Sequence, residues 1–143
     1  MPELKLTLCN PKTGKCHQRV LSGDEVKRLY GMKIGDVVRG ELLDLSGYEF
    51  QITGGSDSAG FPMRADLPGI ARRRIYAVSG VGLRRLGKGV KQRKTVAGNT
   101  VYAKTAQLNL KVLKEGRQPL AQEAEAKVDE AKAEAETRGK GKG

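Results

Sequence analysis

At 143 residues the chain fits one ordinary domain or two small lobes, which excludes a large multidomain enzyme. Its 27 Lys and Arg against 16 Asp and Glu give a net charge of +11 and point to a polyanionic partner, while 38% hydrophobic and 4% aromatic content, with no Trp, leaves a modest core of Leu, Val, Ile and Ala. No apolar run approaches the roughly 20 residues that a membrane-spanning helix needs, and the acidic start MPELKLTLCNPK is unlike a secretory signal, so the expectation is a soluble intracellular protein with no membrane partner.

Leu4, Leu6 and Leu8 alternate with Lys5, Thr7 and Cys9, the period-two pattern of a half-buried strand. The cluster from Asn10 to Gly14 predicts a turn, with Cys16 to Leu21 returning as a hairpin partner. Ser22 to Glu25 has capping-box spacing ahead of Val26 and Leu29, which predicts a short helix ending near Gly31. Val37 and Val38 leading into Glu41 to Leu43, a turn from Asp44 to Gly47, and alternating Tyr48, Phe50 and Ile52 predict two more strands. A glycine-rich loop over 54–60 follows, then strands at Ile75 to Val78, Thr100 to Ala103 and Leu108 to Leu113. The expected fold is mainly β: a small barrel-like or two-lobed β body over 1–117, with short helices. Residues 118–143 are rich in Ala, Glu and Lys, with only Leu120 and Val128 able to face a core, and predict a solvated helical or disordered tail.

The charge is localised. Residues 64–94 hold ten basic side chains (Arg64, Arg72, Arg73, Arg74, Arg84, Arg85, Lys88, Lys91, Arg93, Lys94) against Asp66 alone, a local net of +9, whereas residues 1–63 balance at eight of each sign. Evenly solvated surfaces interleave both signs. A one-signed segment with interspersed glycines suits guanidinium and ammonium groups closing on phosphates. Only Tyr76 interrupts it as an aromatic, which argues for backbone and shape contacts to structured RNA rather than a stacking platform for single strands. Arg72, Arg73 and Arg74 are the foremost candidates, because three adjacent guanidinium groups seldom pack together without an anion; replacing all three is expected to weaken RNA binding and leave the fold intact.

The remaining motifs favour structure over chemistry. In the loop, Gly54 and Gly55 are positioned for positive φ, Asp57 can accept backbone N–H groups, and Phe61-Pro62-Met63 offers an apolar anchor; as a phosphate cradle it lacks the Gly-Lys-Ser/Thr and G-x-G-x-x-G patterns. Gly14-Lys15-Cys16 likewise lacks the upstream glycine and the hydroxyl of a nucleotide-binding loop. Two cysteines are too few for a secreted disulfide framework, so the simpler expectation is a reduced state. With His17 they supply at most three metal ligands, which favours a buried thiol and a surface imidazole over a metal site. No catalytic constellation, cofactor motif or small-molecule site stands out.

The stretch ITGGSDSAGFPM at 52–63 is similar, position by position, to the signature of the archaeal and eukaryotic small-ribosomal-subunit protein six family. LKLTLCNPKTGK near the N-terminus, RRR at 72–74, QRKTVAGNTV at 92–101 and LNLKVLKEG at 108–116 agree in order, so the resemblance covers roughly residues 1–117. It makes Gly54, Gly55, Asp57, Gly60, Phe61, Pro62 and Met63 a family hallmark. It implies a largely β structural constituent of the small subunit, acting in cytoplasmic translation, with ribosomal RNA and neighbouring ribosomal proteins as partners. Eukaryotic members carry a long basic helix ending in regulated serines; this chain has a near-neutral tail and no serine after Ser79, so that regulation does not carry over and the short form looks archaeal. The alternatives are a free-standing nucleic-acid binder, DNA-compacting or an RNA chaperone, and an RNA-processing enzyme. The former usually brings a dimerisation element, and the latter needs a metal or acid/base constellation.

Overall fold

The computed structural model describes residues 3–84, 87–116 and 120. Alternation puts Leu4, Leu6 and Leu8 of β1 (Glu3–Asn10) in the core, and β2 (Lys15–Ser22) returns antiparallel, from Ser22 opposite Glu3 to Lys15 opposite Asn10. The Gly14 N–H closes the turn onto the Asn10 carbonyl at 2.9 Å, at a φ of 69° that glycine adopts without a Cβ clash.

The expectation of reduced cysteines is overturned here. Cys9 and Cys16 face each other in the hairpin register and are joined in a disulfide, their Cα atoms 4.1 Å apart. Strand pairing, which the spacing along the chain does not display, places the two side chains side by side. Cys9 is therefore not a buried thiol, and His17, opposite Leu8, is half-buried.

After β2 come a single helical turn α1 (Asp24–Lys27), β3 (Val37–Arg39), a 3₁₀ turn (Gly40–Leu43), β4 (Glu49–Asp57), β5 (Arg73–Ala77), β6 (Gln92–Val96) and β7 (Thr105–Lys114). Five of the strands form one sheet in the order β2-β1-β7-β4-β3, with β7 parallel to β1 and antiparallel to β4; β5 and β6 form a separate antiparallel ribbon. The mainly β class is thus observed, as a sheet and a ribbon. Phe50, Ile52, Leu108 and Leu110 are almost fully buried with Leu4, Leu6, Leu21 and Leu29, and Tyr48 stacks on Phe50 with ring centroids 5.6 Å apart. Each such side chain contributes about 1.5–3 kcal/mol by leaving water.

Several elements depart from the sequence pattern. Ser22 pairs in β2, so it does not cap; the N-cap is Gly23, with no side-chain cap hydrogen bond. The strand expected through Glu41 to Leu43 stops at Arg39 and coils into the 3₁₀ turn, ended by Asp44 at φ 56°. A Cβ on Gly40 would strike the Leu45 carbonyl, so that tight turn requires glycine. Thr100 to Ala103 is a loop, where Thr100 bridges Lys33, Val101 bonds Gly31 and Met32 through its backbone and is buried in the core, and Tyr102 reaches back to the end of β4; the unforeseen strand is β6. Its sequence QRKTV is polar on both sides up to the buried Val96 and invisible to hydrophobic periodicity.

The glycine-rich loop also begins later than expected. Gly54 and Gly55 belong to β4, paired with Asn109 and Leu108 of β7 beside a register shift, and neither has positive φ. Gly55 is needed for closeness, because a Cβ there would collide with the Gln107 carbonyl and press on Met63 Sδ. Leu120 is buried with the core, and the helical or disordered tail expected over 118–143 otherwise lies outside the described residues.

The disulfide is directly testable. Alkylation of the native protein followed by intact mass should find no reactive thiol. Replacing Cys9 and Cys16 by Ser should lower stability in urea unfolding by about 2 kcal/mol, the loop-entropy contribution of a short bridged hairpin.

Candidate nucleic-acid interface

The basic segment is tied to the sheet through the end of β4. Asp57 closes the strand, its N–H donating to the Phe61 carbonyl at 2.9 Å, and Gly60, at φ 83°, donates back to the Asp57 carbonyl at 2.8 Å. The chain then runs back along β4, where the Met63 N–H meets the Gly55 carbonyl at 2.9 Å and Met63 enters the core. The outgoing end of β6 is held on the same segment: Ala97 donates to the Pro62 carbonyl at 2.9 Å, and Arg64 to the Ala97 carbonyl at 3.1 Å.

Asp57 is the polar centre of this junction. It is only 2% exposed, and its carboxylate accepts the Arg72 Nε–H at 2.5 Å, the Tyr102 hydroxyl at 3.0 Å, and the Ser58 N–H and hydroxyl at 2.6 and 3.2 Å. The Arg72 guanidinium also lies 5.3 Å from the Phe61 ring centroid. Burial alone would raise the Asp57 carboxyl, but the hydrogen bonds from Arg72, Ser58 and Tyr102 hold it below the ordinary carboxylate range. Burial and the bond to Asp57 push the Tyr102 hydroxyl up, and the bond to Asp57 raises Arg72.

Among the described residues, two of the predicted cations are therefore ion-paired within the chain. Arg72 is held by Asp57, while Arg64 pairs with Asp66, Nη2 to Oδ2 at 2.5 Å, and reaches the Val81 carbonyl at 3.2 Å, bracketing the 80–82 turn. Among the described residues, Arg73, Arg74, Arg84, Lys88, Lys91, Arg93 and Lys94 join no ion pair; Arg85 lies outside the described residues. The Arg84 backbone carbonyl accepts from the Gln92 side chain across the ribbon.

The register explains how so many cations fold together. Arg73 faces Val96, Arg74 faces Thr95, Lys94 faces Ile75 and Arg93 faces Tyr76, so none stands directly opposite another charge of its own sign. Alternation also separates Arg73 from Arg74, so the three consecutive arginines form no single cluster. Arg72 turns to Asp57, Arg74 shares one side of the ribbon with Tyr76, Arg93 and Thr95, and Arg73 lies on the other with Ile75 and Lys94. Replacing all three would thus also strip Asp57 of its charged partner, contrary to the expectation of an intact fold. Beside the ribbon, Phe61, Pro62, Arg74, Gly82, Arg93, Lys94 and Thr95 line an open hollow of about 610 Å³ that contains three cationic residues and no carboxylate.

In the signature segment, Met63 and Gly55 pack the junction, Phe61 and Pro62 wall the hollow, Asp57 holds Arg72, and Gly54 has open space around it. Sequence reasoning missed Tyr102, whose role depends on a contact 45 residues away, and Phe61 as the ring under Arg72. No local pattern signals either one.

Comparison with known proteins places this scaffold in a class of structural ribosomal proteins rather than enzymes. The sequence profile of the Ribosomal protein S6e family matches residues 4–125, and the chain belongs to that family. It is 46% identical over 119 residues to the small ribosomal subunit protein eS6 of Archaeoglobus fulgidus, covering 82% of this chain and 92% of that protein. The eS6 protein of Methanocaldococcus jannaschii is 41% identical over 120 residues, covering 84% and 89%. That of Methanocella arvoryzae is 39% identical, covering 84% of each.

The junction carries a pH signature. Because its folded carboxyl titrates below the unfolded value, Asp57 stabilises the protein fully above about pH 4 and loses that contribution as pH falls through the folded value. Urea unfolding should find Asp57→Asn less stable than the native chain by about 1–3 kcal/mol at pH 7, the cost of unbalanced buried partners, with the gap narrowing near pH 3. A gap that stays constant with pH would contradict the assignment.

Proposed function

We propose that the chain is a structural constituent of the small ribosomal subunit, held there by ribosomal RNA whose phosphates meet the 64–94 segment. The observation that carries the reading is the excess of unpaired cations on a ribbon anchored to a body of much lower net charge. Arg73, Arg74, Arg93 and Lys94 on the strands, with Arg84, Arg85, Lys88 and Lys91 in the connection, are the phosphate-contacting set, whereas Arg64 and Arg72 position the ribbon. The names of the archaeal relatives support the small subunit as the place of action. On this reading its partners are small-subunit RNA and neighbouring ribosomal proteins in the cytoplasmic ribosome, 1–117 is the RNA-binding body, and 118–143 is a tail whose Leu120 still packs on that body. The signature glycines serve the scaffold: Gly55 lets β4 approach β7 and Gly60 turns the chain toward Met63.

Each phosphate neutralised releases counterions, so log affinity falls against log salt by about 0.7–0.9 per contact. For the purified full chain on small-subunit RNA, replacing Arg74 and Arg93 together by Ala should weaken binding and lower the magnitude of that slope by about 1.5, with unfolding stability unchanged. An unchanged slope would remove these residues from the interface. In lysate gradients the protein should travel with the small subunit through moderate salt; recovery at the top at both low and high salt would favour a free-standing nucleic-acid binder instead.

A further inference from the structure

All six aromatic residues lie among the described residues, and Tyr76 alone is exposed, at 69% of its surface. Tyr48 and Phe50 are buried, while Tyr30, Phe61 and Tyr102 are partly covered. Tyr76 is also at the centre of the cationic ribbon: it lies directly opposite Arg93, shares a side with Arg74, and has the Lys91 ammonium 5.6 Å from its ring centroid. The one acidic residue of the segment, Asp66, is engaged by Arg64, so no carboxylate of this segment competes for those cations. Tyrosine favours strands in its own right, but this ring buries little of its surface against the chain. The register thus places the ring among three cationic residues, with Lys91 over its face.

We infer that Tyr76 receives one unpaired nucleobase of a folded RNA, whose flanking phosphates lie on Arg74, Arg93 and Lys91. This deepens the reading above and rests on it. A lone aromatic cannot carry a run of bases, but one extruded base needs only one ring face and a charged surround. Stacking replaces the Lys91 cation–π contact, and the released ammonium has the phosphate of the same nucleotide to meet. The site would discriminate an irregular helix from a uniform one without reading base identity, since every base has a π-face.

The test uses the full chain and two RNA hairpins of the same stem, one continuous and one with a single bulged 2-aminopurine. The native chain should bind the bulged hairpin about tenfold more tightly and quench the bulged base. Tyr76→Leu, which keeps apolar bulk on the strand, should abolish both the preference and the quenching while leaving the salt slope and thermal unfolding unchanged; Tyr76→Phe should retain both. Equal affinity for the two hairpins with a normal salt slope would overturn the stacking site and leave the phosphate reading standing, the outcome expected if a neighbouring protein covers Tyr76. Preference and quenching that survive Tyr76→Leu would place the base elsewhere. Failure of either hairpin to bind in a salt-dependent way would overturn the phosphate reading together with the site.

Discussion

The buried carboxylate of Asp57 is the interaction on which the arrangement of the charged segment depends. It ends the strand β4, which is packed against β7 along nearly its whole length, and from there it holds Arg72 just before β5 and Tyr102 just before β7. A buried anion is unfavourable unless it is fully hydrogen-bonded. Three neighbouring segments must therefore meet at one point for the carboxylate to be tolerated. The demand is local, but its effect is to fix where the ribbon leaves the sheet.

That constraint divides the cations into two groups. Arg64 and Arg72 are ion-paired inside the chain at the base of the ribbon, whereas the strand cations stand opposite neutral residues and join no ion pair among the described residues. The register staggers like charges rather than facing them, which lowers their mutual repulsion. Membership of the Ribosomal protein S6e family accounts for this economy of form. The proposed working surface is the cationic hairpin, carried on a chain that is otherwise close to neutral.

The strands with clear alternation were legible in the sequence. Leu4, Leu6 and Leu8, then Tyr48, Phe50 and Ile52, then Leu108, Leu110 and Val112 each bury one face, so a period of two identifies them. β6 was not legible because Gln92 to Thr95 offer no apolar face, and only pairing with β5 makes them a strand. The disulfide was hidden for a similar reason, since hairpin register, not spacing, brings Cys9 to Cys16. The concentration of charge in 64–94 was visible at once, yet composition could not distinguish Arg72, which serves Asp57, from Arg74, which faces out. The adjacency that singled out Arg72 to Arg74 reflects a strand's alternation and a buried partner, not a three-pronged clamp.

The most direct test of the account is lysine acetylation footprinting of the protein in intact small subunits, compared with the purified chain. Lys88, Lys91 and Lys94 should be protected in the subunit and regain reactivity after ribonuclease treatment, while Lys5 and Lys27 on the body should react independently of the RNA. If Lys88, Lys91 and Lys94 were as reactive in the subunit as in the free chain, the ribbon would not face RNA and the central claim would be contradicted.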